Sequence, residues 1–165
     1  MTDDEILDLY SDYLISSFGQ TTATGLSALL GGQISHDRIR RFLAGPTQTS
    51  VDLWQRVTPY IRAIQRDDGI LILDDSISEK PYTDENDIIC WHYDHSLDRM
   101  IKGINFLTAL YHCQESSLPV GVTIIAKTEQ YSDKKDGKQK RRSPIEKNTY
   151  YRDMIQQAVN RHYRK

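Results

Sequence analysis

Ile70-Leu71-Ile72-Leu73-Asp74-Asp75-Ser76 sets four aliphatic residues directly against two carboxylates and a hydroxyl. A short apolar run of this kind predicts a buried central strand. The two acids at its end do not suit a core, because an unpaired buried carboxylate is strongly destabilising. A carboxylate held rigidly at a strand end is what a metal-dependent hydrolase or strand-transfer enzyme uses to hold Mg²⁺. The plainer alternative is a strand that runs into an acidic, solvated turn.

Upstream of this stretch, residues 1–66 read as helical. Thr2 with Glu5 is a capping-box pattern, and Ile6, Leu7, Tyr10, Tyr13 and Leu14 keep to one face of a helix that ends near Phe18-Gly19. A short helix from about Thr22 to Leu30 stops at Gly31-Gly32. Ser35 can cap a third helix with Ile39, Phe42 and Leu43 inward, ending at Gly45-Pro46. Thr49 or Ser50 caps a fourth, with Leu53, Trp54, Val57, Ile61 and Ile64 at helical spacing.

Downstream of Asp67-Asp68-Gly69 the apolar period shortens. Ile70 to Asp75 is the first strand, 78–87 a polar connection, and Ile88 to Tyr93 a short extended segment. Gly103 to Cys113 and Pro119 to Ala126 read as long strands with a turn at 114–117. Residues 132–143 read as a basic polar loop. Ser143-Pro144-Ile145-Glu146 combines a capping box with proline at the first helical position. The inward stripe of the last helix is then Tyr151, Met154, Ile155, Ala158 and Val159.

A chain of 165 residues suits one ordinary domain, or a small module followed by part of a larger one. The net charge of -2 is uninformative, but its distribution is not. Residues 67–126 carry eleven acids and three basic residues, whereas 127–165 carry twelve basic residues and five acids. An acidic middle followed by a basic end suggests a metal or catalytic zone beside a polyanion-binding zone. Cys90 and Cys113 both lie in apolar runs and read as buried thiols of a reducing cytosol, not as a disulfide framework. No signal pattern opens the chain, and no apolar run approaches the ~20 residues needed to span a bilayer.

Three further constellations carry possible chemistry. Ala23 to Leu43 has the form of a helix-turn-helix, whose second helix presents Arg38, Arg40 and Arg41 to DNA phosphates and guanine edges; an ordinary helix pair with a solvated basic face is the alternative. Lys134, Lys135, Lys138, Lys140, Arg141 and Arg142 crowd nine residues and can neutralise phosphates, or form a solvated loop. His92, Asp94 and His95 offer transition-metal donors, with His92 and Asp94 on one strand face; a structural role beside the acidic site competes with this. Trp91 and the ten tyrosines read as core and rim rather than as base-stacking platforms. Ser76 has no nucleophile elbow around it, and no Gly-rich phosphate loop is present.

Taken in order, these strings resemble the DDE transposases of bacterial insertion sequences, the cut-and-paste group with an RNase H-like core. The likeness runs through Ala23–Leu43, the segment 72–82 (Ile-Leu-Asp-Asp-Ser-Ile-Ser-Glu-Lys-Pro-Tyr), 89–96 (Ile-Cys-Trp-His-Tyr-Asp-His-Ser) and 102–112 (Lys-Gly-Ile-Asn-Phe-Leu-Thr-Ala-Leu-Tyr-His), and covers nearly all of the chain to about Val159. The resemblance implies an α+β or α/β protein. A helical DNA-binding domain would span 1–66, and an incomplete RNase H-like catalytic domain of three antiparallel strands and a helix would span 67–165. It implies Asp75 as the first catalytic aspartate and metal ligand, with Asp74 as second choice, and Mg²⁺ or Mn²⁺ as cofactor. Partners would be double-stranded DNA at transposon terminal repeats and, as a further candidate, another transposase chain, in the bacterial cytoplasm and on the nucleoid.

The family's second aspartate lies on the strand after the first core helix, and its glutamate much further on. In this chain that helix is the last element, and Asn160 to Lys165 does not lead into a strand ending in Asp. Two-metal chemistry needs several converging carboxylates. The expected chain is therefore catalytically silent alone: an inactive piece of a transposase, or a non-catalytic DNA-binding regulator or inhibitor of transposition. A metallohydrolase built on Asp74, Asp75, His92 and Asp94 is the remaining alternative. Without later strands, the first strand would lie at an exposed sheet edge, leaving Ile70, Ile72 and Leu73 short of cover and the fold marginal or dependent on another chain.

Overall fold

The computed structural model describes residues 1–47, 49–134 and 137–163, with His162 and Tyr163 described by their backbone alone. The protein is α+β: five helices with antiparallel sheets. It divides into two compact units, Met1–Thr47 and Gln48–Lys165. No helix among the described residues is long and apolar enough to cross a membrane.

The first unit holds α1 (Asp3–Ser16), α2 (Ala23–Leu29) and α3 (His36–Leu43). Local chemistry sets each start. Thr2 and Glu5 form the capping box of α1, Thr22 accepts from the Gly25 N–H at 2.9 Å, and Ser35 accepts from the Arg38 N–H at 3.2 Å. Gly31 and Gly32 join α2 to α3 with φ of +62° and +78°, a left-handed turn that side-chain-bearing residues rarely adopt. Leu26, Ile34 and Ile39 form the core, with Leu9, Tyr10 and Tyr13 of α1 packed on it. Leu14 and Leu43, expected on inward faces, are exposed. Arg38 is tied back to Asp3 of α1 at 2.5 Å.

The second unit begins with α4 (Ser50–Ile64), which sequence periodicity grouped with the preceding helices. Its apolar stripe (Trp54, Val57, Ile61 and Ile64) packs instead on the sheet core of Leu107, Ala109, Tyr111 and Val120, so the boundary falls after Thr47 rather than after residue 66. Thr49 caps it in a capping box with Asp52.

The sheet is built on β3 (Arg99–Cys113), its longest strand. β1 (Ile70–Glu79) pairs with one side of β3. On the other side β2 (Ile89–Asp94) pairs with residues 99–104 and β4 (Ser116–Ile124) with 106–113, all antiparallel. The central strand is therefore β3, not the Ile70–Asp75 run. β1 lies at the edge, and its side chains alternate: Leu71 and Leu73 pack on the core, whereas Ile70 and Ile72 are exposed. A continuous apolar run cannot by itself distinguish two covered faces from one, and here only one is covered. Among the described residues β1 pairs with β3 alone, which leaves its outer edge unpaired.

Two further differences have local causes. Pro119 cannot donate to the ladder, and the register slips there: Ala109 faces Gly121 but Leu110 faces Pro119, which leaves Val120 as the extra residue of a bulge. The basic segment 132–143 is not a loop throughout. β5 (Glu129–Ser132) and β6 (Gln139–Arg142) form an antiparallel hairpin. The last helix, α5 (Lys147–Tyr163), starts later than the Ser143–Glu146 pattern predicts. The Ser143 hydroxyl accepts from the Ile145 N–H at 3.3 Å, a local turn that competes with the capping box. Met154 and, in part, Tyr151 and Ala158 face inward, whereas Ile155 and Val159 are exposed.

Candidate functional site

Alternation along β1 decides which acid can act. Asp75 faces Leu107 across the ladder and so points to the helix-covered side of the sheet. Asp74 faces Thr108 and points to the opposite side. The two candidate catalytic carboxylates therefore cannot converge on one ion. Asp74 accepts from the Ser76 hydroxyl at 2.7 Å on the open face.

Asp75 sits in a polar cluster. Its Oδ1 accepts a short hydrogen bond from Asn105 Nδ2, and its Oδ2 accepts from Lys147 Nζ at 2.5 Å. Lys147 is the first residue of α5, where the helix dipole disfavours a cation; the Asp75 carboxylate offsets that position. With both partners partly exposed, the pair itself contributes about 0–1 kcal/mol. Asn105 is fully buried and also donates to the Ser76 carbonyl at 3.2 Å, but its Oδ1 has no hydrogen-bond partner among the described residues. A half-satisfied buried amide costs about 1–3 kcal/mol, and what this one secures is the direction of the Asp75 carboxylate.

His92, on β2 opposite Ile101, lies on the same covered face and is only 4% exposed. Burial pushes its pKa down to about 4, and the charges of Lys127 and Lys147 add to the push; Asp75 and a backbone hydrogen bond with Gly103 oppose it. The ring is thus neutral at neutral pH. Its Nε2 lies 3.3 Å from the buried Cys90 thiol, whose pKa burial pushes up. Lys127 closes the cluster, its Nζ donating to the Trp91 carbonyl at 2.6 Å, and burial lowers its pKa. Burial also raises the Tyr151 pKa, with the charges of Asp75 and Asp74 adding to it.

His92 makes stability depend on pH. Its folded pKa of about 4 lies below the ordinary 6.5, so the unfolded chain binds the extra proton between those values. Its contribution is complete above pH 6.5 and is lost as pH falls toward 4, a loss on the order of 3 kcal/mol. Urea unfolding of the protein and of His92→Gln across that window should show a flatter pH dependence in the variant. Equal slopes would remove His92 as the cause.

The other predicted residues are dispersed. Asp94 accepts from the N–H groups of Ser96 and Leu97 at 2.8 and 3.1 Å, holding the β2–β3 turn, and His95 packs edge-on against Tyr93. Among the described residues, no group of three or more His, Cys, Asp or Glu side chains is placed to hold a metal ion. The residues around Asp75 do not fit a Mg²⁺ or Mn²⁺ pair: its two oxygens are engaged by an amide and an ammonium, and no second carboxylate among the described residues joins it in a metal-holding group.

Of the predicted DNA contacts, Arg40 and Arg41 are exposed on α3 beside the partly exposed Arg38. Arg41 also donates to the Asp37 carbonyl at 3.3 Å. On β6, Lys140 is paired with Asp133, Arg141 with Asp87 and Glu85, and Arg142 with Glu129. This charge run is therefore knit into the fold, by Asp133 and Glu129 within the hairpin segment and by the remote Glu85 and Asp87. Lys134 and Lys138 are exposed, and Lys135 lies outside the described residues. Asn105 and Lys147 had escaped the sequence reading. The available signals were a polar residue in the buried phase of an apolar strand and a lysine at a helix start.

No protein-family model, no curated protein and no solved structure matches this chain.

Proposed function

We propose that this chain is of the DDE transposase type: a helix-turn-helix-like module that binds duplex DNA, joined to strands and a helix of an RNase H-like core, and silent in strand cleavage because its site aspartate is held by Lys147 and Asn105. The placement of Asp75 carries the reading. It stands within an edge strand of an antiparallel layer, on the covered face, against the first residue of α5. A core of this family begins with that combination of strand carboxylate, antiparallel strands and following helix. The Gly31-Gly32 turn and the exposed Arg40 and Arg41 of α3 support DNA contact by the first unit.

A second reading, a DNA-binding regulator without catalysis, is favoured by the Lys147–Asp75 pair. A carboxylate engaged by an ammonium and an amide would have to be released before it could take a divalent ion. Both readings require duplex binding. Fluorescence anisotropy with a labelled random-sequence duplex should show a complex at low salt that weakens steeply as salt rises. Absence of any complex at low salt would defeat both readings.

A further inference from the structure

We propose that the open face of the sheet, opposite α4 and α5, is where two copies of this chain join, packed face to face about a two-fold axis. The inference goes beyond the DNA-binding reading and does not rest on it. Alternation sends the odd-numbered residues of β3 to the helix-covered core, Leu107, Ala109 and Tyr111 among them, and the even-numbered ones to the other side. That second side is apolar too. Ile70 and Ile72 of β1, Trp91 of β2, Met100 of β3, and Val122 and Ile124 of β4 are exposed on it. Ile104, Phe106 and Leu110 lie half-buried between them and make the patch continuous. Taking about 200 Å² for a large apolar side chain, the six exposed residues alone present roughly 600 Å². The largest apolar patch on a typical monomer is ~300–600 Å². Two such faces together exceed the ~1,000 Å² that a specific interface buries.

The register makes this face self-complementary. On one side of β3, Trp91 stands opposite Lys102, Ile89 opposite Ile104, Ile124 opposite Phe106 and Val122 opposite Thr108. On the other side Asp74 stands opposite Thr108. A two-fold axis in the interface plane, crossing β3 between Ile104 and Phe106, reverses these levels from one copy to the other. Ile89 then meets the partner's Ile124, and Trp91 meets the partner's Val122. Asp74 comes to the level of the partner's Lys102, one strand spacing of about 4.8 Å to the side. Apolar groups thus cover one another and each acid gains a base, twice by symmetry. Aligned sheets pack about 10 Å apart, a gap that a lysine side chain and a carboxylate can bridge. The unpaired edge of β1 is the rival surface. An antiparallel pairing of two β1 strands centred on Asp74 and Asp75 would set carboxylates against carboxylates, which blunts that edge.

The test is sedimentation equilibrium of the full chain from about 1 to 100 µM, a range that reaches the weakest interfaces of standard size. The parent should be dimeric at the top of that range. Ile124→Lys changes an exposed position near the axis, and it should weaken dimerisation about a thousandfold, a hot-spot loss counted once in each copy. Its far-UV circular dichroism should match the parent. Asp74→Lys and Lys102→Glu should each weaken the dimer several-fold. The double variant should restore it, an outcome that misfolding cannot produce. A parent that stays monomeric at the top of the range overturns the proposal and leaves the face to a different partner. A dimer that Ile124→Lys leaves intact overturns it too, and points to the β1 edge. A double variant no tighter than its singles overturns the proposed packing.

Discussion

Replacing Arg40 and Arg41 together by alanine is expected to weaken duplex binding by about thirtyfold, from about 1 kcal/mol per lost contact. The slope of log affinity against log salt should fall by about 1.8, since each phosphate neutralised on B-DNA contributes about 0.9. Both residues sit in the last turn of α3, where cations also favour the helix dipole, and both are exposed. Their removal therefore touches no core contact, and Ile39 beside them keeps the helix anchored. Arg38→Ala should do less to DNA and more to the fold, because its guanidinium is held by Asp3. If Arg40→Ala/Arg41→Ala binds duplex with parental affinity and slope, α3 is not the DNA-contacting element.

The largest effect on stability is expected from Gly103→Ala. A Cβ at residue 103 would lie 2.3 Å from the Ser78 carbonyl oxygen, 2.9 Å from its carbon and 3.1 Å from Glu79 Cα. These are backbone atoms of β1, so no side chain can rotate out of the way. Gly103 is also the residue at which β3 is shared: it faces Glu79 on one side and Cys90 on the other. Accommodating the methyl group means parting β1 from β3, and the expected cost is about 3 kcal/mol, at the upper end of overpacking. Gly121→Ala is the control. Its Cβ would meet only Met154 Cε at 3.5 Å and Ala109 Cβ at 3.6 Å, ordinary contacts, and should leave the urea midpoint nearly unchanged. A Gly103→Ala midpoint as high as that of Gly121→Ala would show that β1 is not held against β3 in this register.

The helices of the first unit were legible because their signals are local. Thr2 with Glu5, Thr22, Ser35 and the Gly31-Gly32 pair each act within a few residues of where they stand. The strands were legible as strands, but their ranking was not. Ile70 to Leu73 looks more central than residues 99–113 because Gly103 and Asn105 interrupt the apolar content of the latter. Yet Gly103 is there to let two strands approach, and Asn105 to direct Asp75. The boundary after Thr47 was hidden because an amphipathic helix such as α4 does not declare which core it covers. The β5–β6 hairpin was hidden by its cations; the partners of Arg141, Glu85 and Asp87, stand about a third of the chain away on the other side of β3 and β4.

At the site, Asp75 and Asp74 read as first- and second-choice ligands of one metal centre, whereas the ladder of β1 turns them to opposite faces of the sheet. The neutralising partners of Asp75 come from elements 30 and 72 residues away, which no local pattern reports. That remoteness is what changes the reading of the acidic strand end from a metal ligand on display to a carboxylate already engaged.

The most direct measurement is incubation of supercoiled plasmid with the full chain and Mn²⁺, followed in a gel with and without protein digestion. A protein that binds DNA but holds its one site aspartate against Lys147 and Asn105 should retard the plasmid and return it supercoiled after digestion. Nicked circles made by the parent and lost in Asp75→Asn would contradict the account.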